Sequence, residues 1–282
     1  MAQISAGDVK ALREKTGAGM MDCKKALTDA GGDTEKAMEL LRERGLAKAG
    51  KRAGRATSEG TIGIAIDGST AGMVELGCET DFVAKTDAFQ ALAAEVAAVV
   101  AATDGATTPD AALAAKLGDG TVGDKVTATI STVGENIELK RVGRIAVDGG
   151  VAGGYVHMGG KLGVIVGLAG SGTDALAKDV AMHVAAHDPT PIAVAREDMP
   201  ADVVEKEREL LKREALQSGK PEKVIDKIVD GRINKFYAEN CLLEQGFVKD
   251  PDQTVGALVE AAGDGIRVTS FTRFKLGEGG EG

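Results

Sequence analysis

The stretch Thr61-Ile62-Gly63-Ile64-Ala65-Ile66-Asp67-Gly68-Ser69-Thr70-Ala71-Gly72-Met73-Val74-Glu75-Leu76-Gly77-Cys78 decides the fold class. Its halves, Thr61 to Ile66 and Ala71 to Cys78, have strand-like patterning and flank the turn formers Asp67-Gly68-Ser69-Thr70. That arrangement predicts a β-hairpin. Immediately downstream the period changes. Thr86 to Ala101 reads as a helix whose apolar stripe is Phe89, Leu92, Val96 and Val99. Residues 103–120 read as loop and short-helix material, and Asp124 to Val133 as another helix. Strand-like segments then return at Asn136 to Val147, Val151 to Met158 and Leu162 to Leu168, and the order predicts that these three form a second sheet. A helix from Asp174 to His187 follows, and its Ala181-Met182-His183-Val184-Ala185 echoes Ala93-Ala94-Glu95-Val96-Ala97. Strands followed by a helix, twice over, predict an α+β core of two similar subdomains.

Outward from this core the pattern is helical. Ser5 is placed to cap a first helix ending at Gly17, and Gly31-Gly32 closes a second that begins at Met20. Asp33 caps a third, with Ala37, Leu40 and Leu41 on one face and Gly45 as its stop. Residues 1–45 therefore form a three-helix unit, and 46–59, with Lys48, Lys51, Arg52 and Arg55, form a basic linker. A solvated tether explains such a charge run better than nucleic-acid contact does. The core divides into 60–135 and 136–276. Within the latter, 201–239 carries two charged helices, Asp202 to Gln217 and Pro221 to Ala238, split by Ser218-Gly219-Lys220. Their narrow stripes, Val203, Leu210 and Leu211 on one and Val224, Ile228 and Phe236 on the other, predict a projecting antiparallel hairpin. A helix at Thr254 to Ala262 and a strand at Arg267 to Leu276 complete the core, and the Gly/Glu tail 277–282 reads as disordered.

Composition narrows the function. The 282 residues carry a net charge of −9, against the basic footprint that coating nucleic acid requires. Aromatics make up 3% of the chain and Trp is absent, so the cores are aliphatic. Cys23, Cys78 and Cys241 are odd in number and far apart, which predicts reduced thiols and a cytoplasmic location. The polar N-terminus is unlike a signal peptide. The apolar window Ala88 to Ala102 is too short for a bilayer, so no membrane association is expected.

Enzyme-like motifs fail one by one. Gly159-Gly160-Lys161-Leu162 lacks the hydroxyl residue and preceding spacing of a phosphate loop, and Gly167 to Gly172 does not have the order of a dinucleotide fingerprint. His183 and His187 share a helix face, but Val184 stands where a zinc protease needs Glu, and no third ligand is evident. No catalytic residue, metal site or cofactor is expected, and no direct nucleotide binding. Two stretches resist a purely structural reading. Thr80-Asp81-Phe82-Val83-Ala84-Lys85 places one of only six Phe residues between a strand and a helix. Locally, a Thr80 or Asp81 cap with Phe82 as a hydrophobic staple would explain it. Met20-Met21 are adjacent and cannot both face one core, and Met is over-used at binding surfaces.

At these same residues the chain resembles a known family. Leu12-Arg13-Glu14-Lys15-Thr16-Gly17-Ala18-Gly19-Met20-Met21-Asp22-Cys23-Lys24-Lys25-Ala26-Leu27 and Cys78-Glu79-Thr80-Asp81-Phe82-Val83-Ala84-Lys85 are similar to the two signatures of the elongation factor Ts family. His183 to Ala186 and Phe271 to Phe274 are also similar, and the likeness runs from Ser5 to Leu276. The resemblance implies a ubiquitin-associated-like N-terminal domain, a two-part core and a helical arm. It also implies a partner, elongation factor Tu, and an activity, guanine nucleotide exchange. Thr80, Asp81, Phe82 and Val83 match the segment that dislocates the partner's magnesium, with Asp81 and Phe82 intruding. Arg13, Met20 and Met21 match the grip of the N-terminal domain on the partner. His157 is the candidate contact in the second subdomain. A C-terminal helix carried by some members has no counterpart before Gly282. The competing reading is a ubiquitin-associated-like adaptor without exchange activity.

Overall fold

The computed structural model describes residues 4–218 and 221–278. The chain opens with three helices: α1 (Ala6–Thr16), α2 (Met20–Asp29) and α3 (Thr34–Arg52). Ser5 caps α1 in a reciprocal box with Asp8, Gly17 ends it in the left-handed conformation (φ 67°), and Asp33 caps α3. A small core of Val9, Leu12, Cys23, Ala26, Leu27 and Ala37 holds the bundle together.

The helix α3 does not stop at Gly45. It continues to Arg52, so the expected linker of residues 46–59 is helical over its first half. A glycine inside a helix costs only about 1 kcal/mol relative to alanine. Here Gly45 is buried against the core, where a Cβ would stand 3.2 Å from Ser131 Oγ. Close packing, not chain termination, accounts for that glycine.

The core then unfolds in order: β1 (Glu59–Asp67), β2 (Thr70–Cys78), α4 (Asp81–Ala84), α5 (Asp87–Ala102), α6 (Pro109–Ala114), the short β3 (Lys116–Leu117) and β4 (Gly120–Thr121), and α7 (Val122–Val133). Next come β5 (Ile137–Ala146), β6 (Gly150–Val156), β7 (Leu162–Ala169) and α8 (Asp174–Ala186). The arm is α9 (Ala201–Gln217) and α10 (Glu222–Asn240), followed by β8 (Gly246–Phe247), β9 (Asp250–Thr254), α11 (Val255–Ala261) and β10 (Arg267–Lys275).

Two antiparallel three-stranded sheets, ordered β1-β2-β5 and β10-β7-β6, form the centre. The strand β5 therefore joins the first sheet, with Cys78 opposite Ile137 and Thr70 opposite Ala146. The expected division at 135/136 moves past this strand, because its own alternation cannot specify which neighbour it pairs with. With that correction the two sheets share one topology. Each is a hairpin, then a helix, then a later strand that returns antiparallel on the hairpin's second strand.

Helix α5 packs on β1 and β2 through Phe89, Leu92, Val96 and Val100, while α8 covers β6 and β7. Between the sheets lie Ile62, Met73, Ile145, Ile165 and Phe274. Two glycines set the layer spacing: a Cβ at Gly72 would stand 2.1 Å from Ala97 O on α5, and one at Gly163 would stand 2.5 Å from Ile62 Cγ2 across the sheets. One buried ion pair also ties the layers. Glu75 on β2 accepts from Arg141 Nε (2.6 Å) and from the Gly277 amide (3.1 Å), while Arg141 donates to Lys275 O and lies over the Phe274 ring.

The arm is antiparallel as expected, but its seam differs. Leu211 and Ala215 meet Ile225, Val229 and Ile233, whereas Leu210 and Val224 face solvent. Adjacent leucines point about 100° apart on a helix, so only one of Leu210 and Leu211 can enter a narrow seam. The expected turn at Gly219-Lys220 and the tail from 279 onward lie outside the described residues; Leu276 to Glu278 form a turn.

Candidate functional site

The turn from Glu79 to Lys85 is held at both ends. Thr80 caps α4, its Oγ1 accepting from the Val83 amide. On the inner side Val83 and Ala84 are buried in the first core, and Gln90 Nε2 donates to Ala84 O at 2.6 Å. Thr86 then caps α5. Phe82 has no place in this packing and is 80% exposed. The staple explanation is therefore overturned: Val83, one residue on, takes the inward position, and the helical turn swings Phe82 to the opposite side.

A second clamp comes from far along the chain. After α7, Gly134 adopts the left-handed conformation (φ 85°) and turns Glu135 and Asn136 toward the motif. The Thr80 amide donates to Glu135 Oε2 (2.9 Å) and Thr80 Oγ1 donates to Glu135 Oε1 (2.6 Å). In return the Asn136 amide donates to Glu79 Oε1 (2.7 Å). Asn136 Nδ2 donates to Arg55 O, and Arg55 pairs with Glu79. Charge-assisted bonds of this kind are roughly twice as strong as neutral ones. Beneath them the Cys78 thiol donates to Thr80 O (3.2 Å); burial, with the nearby Glu135 charge, pushes its pKa up to about 11. Cys78 thus stays a thiol near neutral pH.

The outer surface is charged around the ring. Lys85 Nζ donates to Asp81 Oδ2 at 2.7 Å and holds the Asp81 carboxyl below its ordinary range, with the Lys161 charge a smaller contribution in the same sense. Lys161 belongs to the β6–β7 connection and pairs with Glu59 at 3.0 Å. Thr61 Oγ1 donates to Gly160 O in the same connection. The turn carrying His157 is thereby docked beside the α4 turn. His157 itself is exposed, with Nδ1 3.1 Å from Tyr155 Oη.

On the N-terminal bundle Arg13, Met20 and Met21 all face solvent, the two methionines at 54% and 75% exposure. Neither methionine packs inward. The loop just before Met20 lies against α7: the Thr132 hydroxyl, which donates to Ala128 O at 3.0 Å within the helix, is also 3.3 Å from Gly17 O. Thr132 is three residues before Glu135, so the chain at the C-terminal end of α7 lies against both the Gly17 turn ahead of Met20 and the Phe82 turn. Of the four motif residues, Asp81 and Phe82 reach outward, while Thr80 and Val83 position them. Glu135 and Asn136 escaped sequence reading because nothing local to Gly134-Glu135-Asn136 signals a partner 55 residues upstream.

The His183 and His187 pair is something else. His183 is fully buried; its Nδ1 accepts from the Val248 amide (3.2 Å) and its Nε2 faces Gln245 Oε1 (3.0 Å) as donor. Both ring nitrogens are committed, and burial, followed by the nearby His187, depresses its pKa while the Gln245 bond opposes them. His187 Nδ1 donates to Pro189 O. Among the described residues no three His, Cys, Asp or Glu groups converge as a metal site would require, and no helix is long and apolar enough to cross a membrane.

Residues 79–278 match the family model described as Elongation factor TS. The chain is also similar to elongation factor Ts of Lactiplantibacillus plantarum, 49% identical over 280 residues, which cover 99% of this chain and 94% of that protein. With the family model spanning well over half of the residues and a relative this similar along nearly the full length, the chain belongs to the elongation factor Ts family of translation elongation factors.

Proposed function

We propose that the chain is a guanine nucleotide exchange factor for elongation factor Tu that binds the GDP-loaded partner, disturbs its magnesium and phosphate site and speeds GDP release. It does no covalent chemistry, binds no nucleotide or cofactor itself, and works in the cytoplasm. The observation that carries this reading is Phe82, a bare aromatic ring on a one-turn helix anchored from below by Val83 and from behind by Glu135. A ring kept out of every core forgoes about 1.5–3 kcal/mol of burial. A partner crevice is where that energy is recovered.

Exchange requires a difference, not merely affinity. A factor that binds loaded and empty partner equally shifts nothing, and the coupling between factor and GDP is reciprocal. The proposed division of labour gives each exposed residue one role. Phe82, with Asp81 beside it, is the wedge, and Thr80 and Val83 hold the wedge rigid. Arg13, Met20 and Met21 grip the partner from the three-helix domain, and His157 contacts it from the second subdomain. A wedge on a floppy loop would yield instead of displacing its target; the paired carboxylate bonds to Thr80 oppose that. The test is stopped-flow release of fluorescent GDP from elongation factor Tu. Catalytic amounts of the chain are expected to accelerate release, and excess GDP to dissociate the complex. An unaltered off-rate in the presence of stable binding would leave only an adaptor and sink the proposal.

A further inference from the structure

The two limbs of the arm are joined to each other at its root: the Ile192 amide donates to Asn240 O (2.9 Å), the Leu242 amide to Ala193 O (2.9 Å) and the Leu243 amide to Val194 O (3.1 Å). Against the core, Val194 and Leu242 pack in the same apolar cluster as α8, and such contact attracts without imposing a direction. Direction comes from polar bonds, which converge at the C-terminal end of α8. Gln245 is buried there. Its Nε2 donates to Pro189 O (3.1 Å), on the chain entering the arm, and to Glu239 O (2.6 Å), in the last turn of α10. Its Oε1 is thereby the acceptor that faces His183 Nε2 at 3.0 Å. The other ring nitrogen, Nδ1, faces the Val248 amide at 3.2 Å, and a backbone amide can only donate. Every polarity is thus fixed, with the ring neutral and its proton on Nε2. His187 Nδ1 adds a bond to Pro189 O at 2.9 Å.

We propose that His183 and Gln245 are positioning residues that set the direction in which α9 and α10 leave the core, and that they do so only while the His183 ring is neutral. A proton added at Nδ1 would meet the Val248 N–H donor to donor, and that bond would be lost. The charged groups of the elements packed around the ring pair with one another, Asp179 with Lys249, Lys235 with Glu239 and Arg196 with Glu244, while Asp188 is exposed. His187, its ring 4.8 Å away, is the titratable neighbour that bears on His183. The leverage is large: α9 has 17 residues and is about 25 Å long at about 1.5 Å per residue, so a tilt of about 15° at the root moves its far end by about 6 Å.

Spin labels at Lys178→Cys on α8 and Arg213→Cys on α9, both exposed positions, read that tilt as a distance in the full chain; Cys23, Cys78 and Cys241 are buried and take no label. Near neutral pH the distance distribution should be narrow. Acidification to the point where ring nitrogen chemical shifts report His183 protonation should broaden it while helix content is retained. Gln245→Leu should broaden it already at neutral pH. His183→Gln, whose amide still donates toward Gln245 and does not titrate, should keep it narrow at both pH values, and this arm decides if Gln245→Leu does not fold. A distribution that stays narrow on protonation or in a folded Gln245→Leu, a pH-dependent width in His183→Gln, or unfolding of the whole chain before the arm moves would overturn the assignment.

Discussion

Replacing Phe82 by alanine separates folding from function more cleanly than any other change in this chain. In the free molecule the ring is 80% exposed, and the core contacts of the turn belong to Val83 and Ala84. Truncation should therefore move folding stability by no more than about 0.5 kcal/mol, as surface substitutions do. In the complex the loss is different. A phenylalanine buries about 150–250 Å², and most of that is lost on truncation to alanine. At about 25 cal/mol per Å² the cost is about 3 kcal/mol, equivalent to roughly a hundredfold in an equilibrium or rate constant. A wedge spends this energy only where the nucleotide site has yielded. Phe82→Ala should thus bind GDP-loaded elongation factor Tu nearly as well as the parent chain, bind the empty form about a hundredfold more weakly, and accelerate GDP release correspondingly less. Stopped-flow release and titration of both partner forms read these quantities, with a melting curve as control. Equal weakening toward both forms would make Phe82 an anchor instead of a wedge, and full activity would remove it from the mechanism.

Glu135→Ala removes both acceptors of Thr80 without touching any outward-facing residue. It should cost about 2 kcal/mol locally, speed hydrogen exchange at the Thr80 amide and slow nucleotide release even with Phe82 present; unchanged release would show that the clamp is irrelevant. Met20→Ala with Met21→Ala should weaken loaded and empty partner forms alike, leaving their ratio intact; a changed ratio would contradict the separation of grip from wedge. His183 supplies a pH dependence whose sign follows from its depressed folded pKa. Below about pH 6.5, the ordinary histidine value, the unfolded chain takes up a proton that the folded chain resists, so stability held at neutral pH is lost as pH falls. Melting temperature against pH should show that loss in the parent chain and a shallower slope in His183→Asn, and identical slopes would refute it.

What could be read from residues alone divides by the distance over which its cause acts. The Ser5 box, the left-handed Gly17, the Asp33 cap and the Asp67–Thr70 hairpin turn all depend on groups within four residues, and each forms as its local chemistry dictates. Wherever the deciding contact comes from elsewhere, local reading misplaces the feature. Gly45 resembles a helix stop until α7 is laid against it. The strand β5 resembles the start of a second sheet until the chain returns through α5 and α7 to lie beside β2. Leu210 and Leu211 are indistinguishable until α10 chooses between them. The buried His183 resembles a half-exposed helical residue until Gln245 and Val248 close over it.

The candidate site obeys the same rule, with a consequence for mechanism. The motif alone reads as a capped turn with Phe82 stapled inward, and only the resemblance to the elongation factor Ts family implies that Asp81 and Phe82 project. Neither announces what holds them. That task falls to Glu135 and Asn136, placed by the αL glycine that ends α7, and the same helix end meets Gly17 ahead of Met20 through Thr132. Under the proposed function, wedge and grip are both referenced to the C-terminal end of α7. In that reading, energy gained at Met20 and Met21 is transmitted to Phe82 only if the distance between them is fixed. The end of α7, with Thr132 beside Gly17 and Glu135 bonded to Thr80, supplies that reference without a large interface.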